Sequence, residues 1–384
     1  MSDPPISKRV LAIEPYGGGS HLAFLKGWSY HSRHSIHLVS LPARHWKWRM
    51  RSAPLAILSQ LHQKIDPALP PQCVIVSDML DLPTWLGFAS RHVSLRQWIH
   101  QVPIVAYFHE NQWAYPKAPH AREDHHYAYT NLLTAAAADA CWFNSAYNRT
   151  TLLDSSANFL KRMPDSADVP NLDEIRSRSR VIVPGFEAID PAVGNERKKP
   201  QTKQPVDPIV IGWVGRFEHD KRPDQFALLL ETLANQSVTF ELVLLGERGR
   251  PNEALQQILN RHGHRVRYNG YAPSREEYWH QLSSMDIVVS TADHEFFGIA
   301  MCEAMWAGAI PIVPNRLSYP EYVPETLRYD SLEEAALKIV RLSGDRSWES
   351  LQAECRRRIE PFRMPKVASI IDSEIDALTK AWDT

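Results

Sequence analysis

Cysteine is scarce in this 384-residue chain. The four present, Cys73, Cys141, Cys302 and Cys355, lie far apart and form no Cys-x-x-Cys pair. Neither a disulfide framework nor a cysteine-based zinc site is expected; Cys73, Cys141 and Cys302 sit in apolar runs, as buried thiols of a reducing, cytoplasmic compartment do. No apolar run approaches the roughly eighteen residues of a membrane span, and the opening segment MSDPPISKR has no hydrophobic core of a leader, so neither is expected. Charge of one sign is also missing. Forty-three Lys and Arg balance 44 Asp and Glu for a net charge of −1. Nothing global draws the chain to a nucleic acid or a membrane, so a polyanionic partner must meet a local patch. There is no Asp-x-Asp, the usual metal–diphosphate clamp, and no His/Cys spacing of a metal site, so no metal is expected. A Gly-x-Gly-x-x-Gly turn is absent too, which disfavours dinucleotide binding.

What is present is a sequence 44% hydrophobic and 23% charged, long enough for two globular domains. Apolar strands at 9–15, 36–42, 73–80, 103–111, 139–145 and 180–186 alternate with helix-length patterns such as 54–65 and 127–138. Residues 191–208 are charged, proline-rich and aperiodic, and read as a linker. The alternation resumes with strands at 209–215, 240–247, 265–271, 286–290 and 309–314. A long amphipathic helix, 365–382, closes the chain. The expected class is α/β: a doubly wound Rossmann-like domain over 1–190, the linker, a second such domain over 209–362, and a C-terminal helix over 363–384. Two such domains facing each other across a cleft would put both sets of strand ends, where ligands bind, on that cleft.

The chemistry-bearing residues fall at those strand ends. HEFFGIAMCEA (294–304) places Glu295 on a Phe-Phe-Gly turn and Glu303 one turn into the following helix. Unpaired amides near Phe297, Gly298 and Ile299 form an anion site at the helix start. Glu303 could accept from ribose hydroxyls and Glu295 from a sugar; a nucleotide-sugar would satisfy all three. An ordinary strand–helix junction would carry the same residues without that role. WVGRFEHDKRPD (213–224) ends a strand at Gly215 and sets Arg216 and Lys221 where two cations suit a diphosphate leaving group; two solvated cations near a helix start are the bland alternative. GGGSH (17–21), with Gly18, Gly19, Ser20 and His21, frees backbone amides for a ligand or is only a tight turn. FHENQWAYP (108–116) puts His109 at a strand end, beside Asn111, to contact a sugar hydroxyl or take part in proton transfer, unless it is structural. PARHWKWRMR (42–51) interleaves Arg44, Lys47, Arg49 and Arg51 with Trp46 and Trp48. Cations meet phosphates and indoles stack on bases, so this is the candidate nucleic-acid footprint, or else a solvated helix start whose tryptophans pack inward.

With these residues in place, the chain resembles the retaining family 4 glycosyltransferases of the GT-B fold through GRFEHDK and HEFFGIAMCEA. Through IEPYGGGSH, LPARHWKWRMR, SDMLDLP, FHENQWAYP, FNSAYN and FLKRMPD it resembles, more narrowly, the tRNA-queuosine α-mannosyltransferase family, over roughly residues 8–320. The resemblance implies transfer of mannose from GDP-mannose to queuosine in the anticodon of tRNA-Asp, with retention and with no cofactor beyond the donor. It implies Gly215, Arg216 and Lys221 at the diphosphate, Glu303 at the ribose, and Glu295 with amides 297–299 at the mannose and phosphates. It places His109 near the reaction centre and Gly18, Gly19, Ser20, His21, Asn111 and the 44–51 cluster, Trp48 included, on the acceptor side. A transferase acting on a small molecule, lipid or polysaccharide would keep the donor residues and lose the role of the basic cluster. A nucleotide-sugar-binding protein without activity is a third reading, against which the paired carboxylates and paired cations argue.

Overall fold

The computed structural model describes residues 7–64, 66, 68–115, 124–164, 171–189, 207–246 and 252–382. The chain forms two compact units, Met1–Gly185 together with Met364–Thr384, and Phe186–Arg363.

The first unit is built on six parallel strands: β1 (Arg9–Gly17), β2 (Ser35–Pro42), β3 (Cys73–Ser77), β4 (Ile104–Phe108), β5 (Ala140–Phe143) and β6 (Ser179–Val181). Their spatial order is β2-β1-β3-β4-β5-β6. The inner strands CVIVS and IVAYF are buried at every position. That is the mark of a parallel sheet covered on both faces. Alternate residues of β1 feed the two faces. Leu11 and Ile13 join a core with Trp85 and Phe108, while Val10 and Ala12 join one with Phe24 and Trp28.

The closing helix, Met364–Trp382, corrects an expectation. It is not a separate appendage after the second domain but completes the second of these cores. Val367, Ala368, Ile371 and Ile375 recur on one helical face and bury fully beside Phe24 and Trp28. The Val and Ile side chains among them contribute about 1.5–3 kcal/mol of burial each. Asp372 locks the contact: its carboxylate accepts from Trp28 Nε1 at 3.1 Å, Ser32 Oγ at 2.7 Å and the Arg33 amide at 2.8 Å.

The second unit holds β7 (Ile209–Val214), β8 (Phe240–Leu245), β9 (Val266–Gly270), β10 (Ile287–Val289), β11 (Ile310–Pro314) and β12 (Arg328–Tyr329), in the order β12-β11-β10-β7-β8-β9. The short edge strand β12 was not foreseen; two residues carry no readable alternation. The first domain ends at Gly185 rather than residue 190. Glu187 and Ile189 give their carbonyls to Arg275 and to Trp306 Nε1 of the second unit. The expected linker, 191–208, lies outside the described residues except for Asp207 and Pro208.

In both sheets the strand order reverses beside the first strand, between β1 and β3 and between β7 and β10. Crevices open beyond the carboxyl ends of strands at such points. The loops after these strands carry the residues singled out from the sequence.

Candidate functional site

In the second unit, β7 and β8 end on Gly215 and Gly246. A Cβ on Gly246 would lie 2.1 Å from the Gly215 carbonyl oxygen, so only glycine lets these strand ends close up. Beside them opens a cavity of about 540 Å³ whose lining includes Gly215, Arg216, Tyr271, Arg275, Tyr278 and Glu303. Arg216 stands at its rim, half exposed and 3.1 Å from Glu218.

Lys221 lies on a short turn, His219–Lys221, after β7. Its Nζ donates to the His294 carbonyl at 2.7 Å and to Glu295 Oε2 at 3.2 Å, with Asp220 at 3.4 Å. The cation of one motif and the carboxylate of the other are therefore one ion pair. Burial works against the Lys221 ammonium, but Glu295 and Asp220 outweigh it and hold its pKa above the ordinary lysine value. Burial, helped by Lys221, pushes the His294 imidazole down to about 4, so it is neutral near pH 7.

The Phe-Phe-Gly turn after β10 is fixed from below. Ser318 Oγ and Tyr322 OH donate to the Phe297 carbonyl at 3.0 and 2.7 Å. Gly298 takes φ 87°, and the helix Ile299–Ala307 begins there with no side-chain cap. Its leading amides are thus left for an anion. Glu303 is buried within that helix. Its carboxylate accepts from Arg275 Nη2 at 2.9 Å and Tyr278 OH at 2.6 Å. Burial raises its pKa, and those two partners oppose the rise. Two hydrogen bonds leave a carboxylate lone pairs for ribose hydroxyls. Sequence reasoning missed Tyr271, Arg275 and Tyr278, whose spacing follows no motif. Tyr271 is 74% exposed and lines the cavity, an aromatic side chain on which a flat ring can stack.

The first unit has its own cluster. Gly18, Gly19 and Ser20 lead into the helix Gly19–His31, which buries His21 in its first turn. His21 Nδ1 lies 3.2 Å from Glu14 Oε2. Glu14 is fully buried within β1; its Oε1 accepts from Ser77 Oγ at 3.0 Å and the Tyr16 amide at 2.7 Å. The His109 ring stacks on His21 with centroids 4.0 Å apart and planes tilted by 30°. The His109 backbone is held by Asp78 Oδ1 on its amide, at 2.8 Å, and by Asn144 Nδ2 on its carbonyl, at 2.6 Å. Burial lowers the His21 pKa, but Glu14 more than reverses it, leaving His21 at about 9. Burial and the charge of His21 hold His109 well below the usual histidine range.

The sign of the His21 shift sets a prediction. Its folded pKa lies above the ordinary 6.5. Its contribution to stability is therefore complete below about pH 6.5 and is lost as pH climbs through about 9. Thermal unfolding followed from pH 6 to 10 should show Tm falling across that window, and a flat Tm there contradicts the ion pair.

Asn111 is corrected. It is fully buried, and its amide group is spent internally: Nδ2 donates to the Asn148 side chain at 2.8 Å and Thr151 Oγ1 at 3.0 Å, while Oδ1 accepts from the Trp113 and Ala114 amides. Its side chain shapes the loop after β4 and is fully engaged there.

The basic cluster occupies the loop before the helix Trp46–Lys64 and that helix's first turns. Residues two apart on a helix point to different sides, which separates the two tryptophans. Trp46 packs edge-on against Tyr127, whereas Trp48 is 68% exposed. Lys47 and Arg51, four apart, both lie over Tyr127, at 5.7 and 5.3 Å. Arg51 also approaches Asp81 at 3.8 Å. Arg44 is exposed, and Arg49 is half-buried.

Comparison with known proteins agrees with both halves. Residues 9–186 match the sequence profile described as tRNA-queuosine alpha-mannosyltransferase N-terminal, and residues 194–328 match glycosyl transferases group 1. A tRNA-queuosine alpha-mannosyltransferase of Drosophila melanogaster is 33% identical over 84% of this chain and 83% of its own length. A GDP-mannose-dependent alpha-(1-6)-phosphatidylinositol dimannoside mannosyltransferase of Mycobacterium tuberculosis is 25% identical over 46% of this chain and 47% of its own. Among solved structures, sucrose-phosphate synthase from Thermosynechococcus elongatus shares the fold, with TM-score 0.69 and 15% identity over 97% of this chain and all of that one. The expected GT-B pair of parallel α/β domains is thus present. On the match of its first domain and the identity along most of its length, the chain belongs to the tRNA-queuosine alpha-mannosyltransferase family.

Proposed function

We propose that this chain transfers mannose from GDP-mannose to queuosine in the anticodon of tRNA-Asp, in the cytoplasm, with retention at the anomeric carbon. The observation that carries the reading is the Lys221–Glu295 pair beside the uncapped helix start at Gly298, in a chain of this family. Arg216, Lys221 and the amides of 297–299 would neutralise the diphosphate as its charge grows, with no metal required. Glu303, held by Arg275 and Tyr278, would take the ribose hydroxyls, and Tyr271 would stack on the base. Glu295 would meet a mannose hydroxyl and His109 the donor sugar. No side chain need serve as a covalent nucleophile. The departing phosphate can draw the acceptor proton from the front face. Arg44, Lys47, Trp48, Arg49 and Arg51 would hold the tRNA.

Purified protein should move radiolabelled mannose from GDP-mannose onto queuosine-bearing tRNA, and not onto tRNA lacking queuosine. Addition of EDTA should leave the rate within about twofold. Label appearing only on lipid or on small sugars, or only from UDP- or ADP-sugars, overturns this assignment.

A further inference from the structure

Glu14 belongs to no motif that marks the family's donor site, yet it is the most deeply buried carboxylate near the ends of the first sheet. It is fully buried, and both of its oxygens are engaged: Oε1 by Ser77 and the Tyr16 amide, Oε2 by His21. Ligand atoms of Glu14, His21 and His109 lie within 4.8 Å of one another, close enough to suggest a metal centre. The ring geometry argues otherwise. An imidazole binds a metal in its own plane, at about 2.0–2.1 Å from nitrogen for zinc. Ring centroids 4.0 Å apart, with planes tilted by 30°, stand closer together than two imidazoles sharing one tetrahedral ion can. With Oε1 already accepting two hydrogen bonds, Glu14 is arranged to orient an imidazole.

We propose that Glu14 is a positioning residue for the transfer reaction: its buried carboxylate, bonded to His21 Nδ1, decides which ring of the stacked His21–His109 pair carries the extra proton. A carboxylate on Nδ1 fixes the ring orientation and favours the imidazolium, as an orienting acid does in a catalytic triad. Once His21 is the cation, a second positive ring 4.0 Å away is strongly disfavoured, so His109 stays neutral. The two rings then offer different chemistry. His21 presents Nε2 as a donor only. Neutral His109 presents one donor and one acceptor, the pattern that matches a sugar hydroxyl. The groups facing the pair support this assignment from every side. Glu14 on β1, Asp78 after β3 and Glu110 after β4 all favour a proton on His21. Tyr107 on β4 and Phe24 on the Gly19–His31 helix bring aromatic rings against His109.

This inference rests on the mannosyltransferase reading for its role and on the wild-type rings for its chemistry, so the experiment separates the two. Full-length protein carrying ring-labelled histidine is titrated by NMR, with His21→Gln and His109→Gln to assign the signals. The expected result is a protonated His21 up to about pH 8, losing its proton near pH 9, beside a His109 that stays neutral wherever the protein is folded. In Glu14→Gln, His21 should be neutral by about pH 7. The kcat should fall at least about tenfold with KM for GDP-mannose little changed, and Glu14→Asp should recover part of the loss. A protonated His109, or two neutral rings at pH 7 in the wild type, overturns the proposal without any variant. So does a Glu14→Gln protein that folds and keeps both its ring titrations and its kcat. If the wild-type rings behave as stated but no mannose reaches queuosine tRNA, the transferase reading fails and the proton assignment stands.

Discussion

Replacing Lys221 with alanine is expected to lower kcat for mannosyl transfer by about 10²- to 10³-fold, the loss found when one preorganised group facing a developing oxyanion is removed, while tRNA affinity stays within about twofold. Lys221 Nζ is the cation shared by Glu295 and by Asp220, which is almost completely buried. Held above the ordinary lysine pKa, it is charged throughout the working range. Alanine would remove the charge that a departing diphosphate needs and leave two carboxylates facing it. The loss should appear in single-turnover rates at saturating GDP-mannose as well as in KM. A variant that folds and retains kcat within about threefold would falsify the placement of the diphosphate beside Lys221. The companion change Glu295→Gln keeps the size and removes the charge. It should reduce the rate less, because the ammonium remains.

The second large effect concerns the basic cluster. Changing Arg44, Lys47 and Arg51 together to alanine should weaken tRNA binding by about 10- to 100-fold at moderate salt. It should also reduce the slope of log affinity against log salt by about 2, since each phosphate contact carries roughly 0.7–0.9. The expected slope change stays below three contacts because Arg51 already leans on Asp81. Trp48→Ala should behave differently. Its indole is exposed and uncharged, so its loss should cost about 1–3 kcal/mol of stacking with the salt slope unchanged. A salt series with the wild type and these two variants separates the two contributions. An unaltered slope in the triple variant removes this helix from the RNA-binding surface.

Much of the fold was legible because parallel strands covered on both faces are written as short apolar runs. Among the described residues each of the eleven expected strands appears, ten of them within three residues of the expected bounds; the sixth, expected over 180–186, ends at Val181, and the two-residue β12 was unexpected. The candidate donor residues could be singled out for a related reason. A glycine at a strand end and a carboxylate one turn into a helix are local features, and Gly215, Gly298 and Glu303 lie in one unit at one reversal of strand order. Asn111 shows where that reasoning stops. A polar residue after a strand reads as a ligand whether its amide faces a crevice or, as here, closes its own loop. Glu14 shows the converse, since a lone acid inside an apolar strand gives no sign of the histidine seven residues on that it orients.

The sequence alone determined the two α/β halves, the strand-end placement of the candidate site residues and the family to which the chain belongs. All of these follow from periodicity and from short contiguous motifs. The tertiary structure decided what pairs with what: Lys221 with Glu295, Glu303 with Arg275 and Tyr278, Glu14 with the stacked histidines, and the last helix with the first sheet. Those partners stand from seven to more than three hundred residues apart, as His21–Glu14 and Trp28–Asp372 show. Their contacts depend on which loops the sheets bring together, and no local pattern encodes that.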